Sequence, residues 1–205
     1  MRLARWERGV MDDEQLHELL YQALETELGG VAIYETALRC VQNDELREEL
    51  ERYYEQITHH VQLVEGLLRA FGLHPGTETP GRKVVRHIGE SLVEAMEMAL
   101  KAGPPDAAEL VAAECVTLAE TKDHLNWELV GEVLSRVHGD TSSALRAAHK
   151  EAEEQEDEHQ SPGWCRELWI DALGLPAVLL PPEEQKDVKT AIAAAQAKQV
   201  RAQMT

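Results

Sequence analysis

The sequence predicts an all-α protein built from two long antiparallel helical hairpins. Two observations carry that expectation. Apolar residues recur at helical spacing over stretches several turns long, which is the mark of amphipathic helices. Short turn-forming segments, Asn43-Asp44 and His138-Gly139-Asp140-Thr141, split these stretches into pairs, so the members of each pair lie side by side and antiparallel. Further helices are expected between the hairpins and after them.

The elements follow in order. Residues 1–11 read as an irregular basic leader. The first helix starts at Asp12 or Asp13, either of which can cap it, and runs to about Val41. Its stripe is Leu16, Leu20, Ala23, Glu27, Val31, Tyr34 and Leu38, so a carboxylate falls among core positions. Gly29-Gly30 weakens this helix by roughly 1 kcal/mol per glycine and hints at close approach of a neighbouring backbone. The second helix runs from Glu45 to about Phe71 with the stripe Leu46, Leu50, Tyr53, Ile57, His60, Val64, Leu67 and Phe71. His59 lies on its edge, beside Gln56 and Leu63. Folding the hairpin near residue 43 sets Glu27 opposite His59 and His60.

Gly and Pro make residues 72–81 a loop. A connecting helix spans 82–102 and is broken by Gly103-Pro104-Pro105. The helix from Asp106 to about Val137 carries Val116, Glu120, Asp123, Trp127, Val130 and Leu134 on one stripe. A second stripe with Cys115, Leu118, Leu125 and Leu129 suggests burial on two sides, and a homodimer. The next helix, about Ser142 to Gln160, has Leu145, His149, Ala152, Glu156 and His159 facing inward. Folding near residue 139 brings Glu120 level with Glu156 and His159. Residues 161–205 form a C-terminal appendage: a short helix with Trp164 and Trp169, a proline-punctuated loop, and an alanine-rich helix from Pro182 to about Gln203.

Composition narrows the function. The chain has 205 residues, with 20 Lys and Arg against 38 Asp and Glu, for a net charge of −18. Such an acidic surface disfavours nucleic acid and anionic membranes and favours cations. No apolar run is long enough to span a bilayer. The N-terminus lacks the apolar segment of a secretory signal, so the expected location is the cytoplasm. Cys40, Cys115 and Cys165 contain no Cys-x-x-Cys pair, which argues against a disulfide framework or a thiolate metal site.

The chemistry-bearing pattern is the recurrence of acids and imidazoles on inward faces. Burying a charged group without a partner costs several kcal/mol, and a metal ion is one partner that offsets the cost. Glu156-x-x-His159 puts a carboxylate and an imidazole on one helical face. Each hairpin thus carries a lone Glu on its first helix and a titratable cluster opposite.

This arrangement, over residues 12–160, resembles the ferritin-like superfamily in its rubrerythrin-related branches, where each half of a four-helix bundle gives one Glu and one Glu-x-x-His. The resemblance implies a ferritin-like four-helix bundle with Glu27, Glu120, Glu156 and His159 as metal ligands and Tyr34 as the catalytic aromatic after the first. The second helix departs from the pattern. If His59 is the ligand, Gln56 stands at the Glu position; if His60 is, Ile57 does. One bridging carboxylate is then missing, which favours a single site or an asymmetric pair. A rubredoxin-like cysteine cluster is also absent. The implied cofactor is iron, as two ions, or alternatively manganese or zinc, and the implied activity is oxidoreduction of peroxide, or of ferrous iron with oxygen. The alternative is a non-catalytic bundle with a degraded site, serving in stress or interaction.

Overall fold

The computed structural model describes residues 12–134, 136–156 and 161–203. The leader 1–11 and His159 lie outside the described residues. Among those described, the secondary structure is helical throughout: α1 (Asp13–Cys40), α2 (Asp44–Ala70), α3 (Pro80–Ala102), α4 (Pro105–Val133), α5 (Asp140–Glu156), α6 (Ser161–Ala172) and α7 (Pro182–Gln203).

The turns are set by local chemistry. Asn43 caps α2 by accepting from the Leu46 amide at 2.9 Å. Glu109 on α4 accepts from the Gln42 and Asn43 amides at 2.8 and 2.7 Å, fastening the α1–α2 turn to a third helix. Thr79 caps α3 through the Arg82 amide at 3.1 Å, and Pro80 suits the first helical turn. Buried Arg82 ties the preceding loop down. Its guanidinium donates to Glu25 at 2.8 Å and to the Pro75 and Thr77 carbonyls at 2.5 and 2.8 Å.

Helices α1, α2, α5 and α4 pack in that cyclic order, each against the next, and α3 lies outside against α1 and α4. Two apolar clusters fill the bundle. The lower one includes Leu20 and Leu24 of α1, Val64 and Leu68 of α2, Trp127 and Val130 of α4, and Leu145 and Ala152 of α5. The upper one includes Tyr34 and Ala37 of α1, Leu50 and Tyr53 of α2, Ala112 and Val116 of α4, and Trp164 and Leu168 of α6. Chain order through these clusters runs α1 upward, α2 downward, α4 downward and α5 upward, so every neighbouring pair in the ring is antiparallel. Helix α3 is the long crossover between the hairpins.

Two features refine the sequence reading. The fourth corner is shared: α5 completes the lower cluster and α6 the upper one. The short helix expected in an appendage therefore belongs to the core. Its Trp164 is buried and donates to the Glu49 carboxylate at 2.6 Å; Glu49 also accepts from the Tyr53 hydroxyl. Second, the outer stripe of α4 is covered only in part. Cys115 is buried, but Leu118, Leu125 and Leu129 are exposed. The expected close approach at the glycines is present. A Cβ on Gly30 would lie 2.5 Å from Ile57 Cδ1, and Gly29 faces the Cα of Gly89 on α3.

Candidate metal centre

Between the two apolar clusters lies a polar waist. Glu27 on α1, His60 on α2 and Asp123 on α4 each offer a ligand-type atom there, and these atoms lie within 4.8 Å of one another. Their residues are 0, 1 and 2% exposed. Register explains the meeting. On α1, Glu27 falls between Leu24 below and Tyr34 above. On α2, which runs downward, His60 falls between Ile57 above and Val64 below. On α4, Asp123 falls between Val116 above and Trp127 below.

Trp127 organises the pair beside it. Its indole N–H donates to Glu27 Oε1 at 2.9 Å, and its ring meets His60 edge to face with centroids 5.7 Å apart. The second Glu27 oxygen, Oε2, stands 3.7 Å from His60 Nδ1, and Asp123 adjoins the same carboxyl group. Burial raises the Glu27 pKa well above its ordinary value, and the Asp123 carboxylate raises it further; the Trp127 N–H opposes both.

Glu120 sits one turn above Asp123 on the same face of α4. It accepts from the Tyr34 hydroxyl at 2.5 Å. Burial, then the Glu120 charge, holds the Tyr34 pKa well above that of a free phenol, so Tyr34 keeps its proton and acts as a donor. On the outer side, Asn126 donates to Thr26 Oγ1 at 2.9 Å and closes the α1–α4 seam next to Glu27.

The chain thus gathers three of the expected residues, Glu27, Glu120 and His60, with Tyr34 beside them. His59 does not join this group. It is half exposed and pairs with Glu151 of α5 at 2.7 Å, on the bundle's outer edge. Gln56 is half-buried, one turn before it. Glu156 is the last described residue of α5. Asp123 is the member that sequence reasoning left out. The signal was its place in the inward stripe, three residues after Glu120 and four before Trp127, where it looked like one more ordinary acid.

Two carboxylates and an imidazole at such spacing, in a dry environment, form a hard oxygen and nitrogen donor set. They fit a divalent cation, which would offset the crowded negative charge of Glu27 and Asp123. Glu27, His60 and Asp123 would hold it, with Glu120 as the adjacent carboxylate.

No family model, no curated protein and no solved structure matches the chain. The functional reading therefore rests on this geometry. No described helix is long and apolar enough to cross a membrane.

Proposed function

We propose that the protein is a metal-binding bundle of ferritin-like type, whose waist holds iron or manganese and turns over a small oxidant, peroxide or oxygen. The observation that carries this reading is the convergence of Glu27, His60 and Asp123 from three helices within 4.8 Å. Burial and the neighbouring Asp123 carboxylate both work against an ionised Glu27, with the Trp127 N–H opposing them, and a bound cation would offset that crowding. The cyclic order of antiparallel helices with one long crossover supports the ferritin-like type.

A bound iron or manganese ion would supply one-electron chemistry toward oxygen or peroxide. The chain's own residues do the rest. Trp127 orients Glu27 through its N–H. Tyr34 holds a proton against Glu120 at the edge of the site. The two apolar clusters keep water from the donors, which strengthens their electrostatic grip. Three donor residues on the described helices suit one ion, or an asymmetric pair, better than a symmetric di-iron centre.

A second reading, binding without turnover, is favoured by one feature: all three donors are almost fully closed from solvent. Loading with Fe(II) or Mn(II) and following peroxide consumption separates the two. Turnover that disappears in Asp123→Asn supports the oxidoreductase. Metal uptake with no peroxide loss supports the non-catalytic bundle.

A further inference from the structure

A groove of about 220 Å³ runs along the outer face where α1, α3 and α4 meet. Ile33, Val85, Ile88, Leu92 and Leu118 give it apolar walls, and Lys122 lines one part of it. Gly29 and Gly89 also line it, at the point where α1 and α3 approach closely: a Cβ on Gly89 would lie 3.5 Å from the Gly29 Cα. Its size falls below the roughly 300–1,000 Å³ of sites for drug-sized ligands, so the occupant must be small.

Lys122 gives the groove its chemistry. It is half-buried, and the partner of its ammonium is an amide, Asn126 Oδ1, rather than a carboxylate. Glu25, the carboxylate that also lines the groove, is already held by Arg82 and Arg86 at 2.8 and 2.7 Å. The groove therefore presents an apolar slot and one lysine, with which no carboxylate among the described residues forms an ion pair. The complement to that surface is a small amphiphile with an anionic head.

We propose that this groove binds a small apolar carboxylic acid, with its carboxylate on Lys122 and its hydrocarbon part along Ile33, Val85, Leu92 and Leu118. The groove's lining contains none of the three metal donors. The Asn126–Thr26 hydrogen bond lies in the wall between them. A charge-assisted hydrogen bond to a partly desolvated ammonium is stronger than a neutral one, so the head group should decide affinity.

The test is calorimetric titration of the full-length protein with octanoate, and with 1-octanol as the uncharged control of equal chain length. Octanoate is expected to bind about tenfold or more tightly than the alcohol. Lys122→Gln should remove that preference and leave the alcohol's binding in place. Ile88→Glu, at a lining position already 52% exposed, adds a like charge to the groove and should also weaken octanoate selectively. Circular dichroism confirms that both variants fold. Equal binding of acid and alcohol, unchanged octanoate affinity in both variants, or no binding of either ligand overturns the proposal.

Discussion

Replacing Glu27 by Gln should change stability with opposite sign in the absence and presence of metal. Glu27 is fully buried, and its carboxyl group adjoins the Asp123 carboxylate. At neutral pH the metal-free protein either holds an ionised carboxylate in a dry site or holds a proton that free Glu would release. Both cost stability. Gln keeps the shape, and its amide oxygen can still accept from Trp127. Relief of one poorly satisfied buried group is on the order of 1–3 kcal/mol. For a chain of this length that corresponds to a rise in Tm of roughly 2–4 °C per kcal/mol. At pH 4 most of the difference should disappear, because Glu27 is then protonated in the folded chain and largely protonated in the unfolded one. Metal reverses the ranking. A ligand at 100 times its Kd stabilises the folded protein by about 2.7 kcal/mol, and the Gln variant loses most of that gain. Thermal melts in EDTA and in excess Mn(II), at pH 4 and pH 7, measure all of these quantities. The reasoning is refuted if the variant is less stable than wild type in EDTA at pH 7 and Mn(II) shifts neither protein.

Three further outcomes follow from the same contacts. Because Glu27 is raised above its ordinary value of 4.5, the folded state binds the extra proton. Its contribution to metal-free stability is full below about 4.5 and is lost as pH rises through the folded-state pKa, while metal affinity rises over the same range; urea melts with and without EDTA at several pH values read both trends. Arg82→Met leaves the Pro75 and Thr77 carbonyls without their donor and Glu25 with Arg86 alone; an unsatisfied buried acceptor costs about 1–3 kcal/mol, so the two together should lower Tm by on the order of 10 °C with metal binding intact. Tyr34→Phe removes the donor to Glu120, which should cost about 1–3 kcal/mol by urea unfolding and slow peroxide consumption without abolishing metal uptake.

Much of the bundle was legible in the sequence because helical periodicity and turn chemistry act locally. The spacing of Leu46, Leu50, Tyr53 and Ile57 and the Asn43 cap define α2 without reference to the rest of the chain. Register across a hairpin also follows from lengths, and it set Glu27 opposite the His59–His60 pair. Choosing between those two histidines needed the rotation of α2 about its axis, which the whole stripe determines. His60 shares its face with Ile57 and Val64, and His59 points to Glu151. Asp123 was hidden because an acid in an acidic protein carries little information until its neighbours are known. The role of α6 was least legible. Trp164 reads as part of an appendage until Glu49, far away in sequence, supplies its partner. The exposure of Leu118, Leu125 and Leu129 could not be foreseen either, since periodicity shows that a face is apolar and not what covers it.

The most direct test of the account is metal content. Protein purified without an affinity tag would be stripped, reloaded separately with Fe(II), Mn(II) and Zn(II), desalted, and assayed by elemental analysis beside His59→Ala, His60→Ala and Asp123→Asn. The account predicts at least about one tightly held ion per chain in wild type and in His59→Ala, with loss in His60→Ala and Asp123→Asn, since imidazole and carboxylate donors suit these ions. No retained ion in wild type, or loss in His59→Ala with retention in His60→Ala, would contradict it.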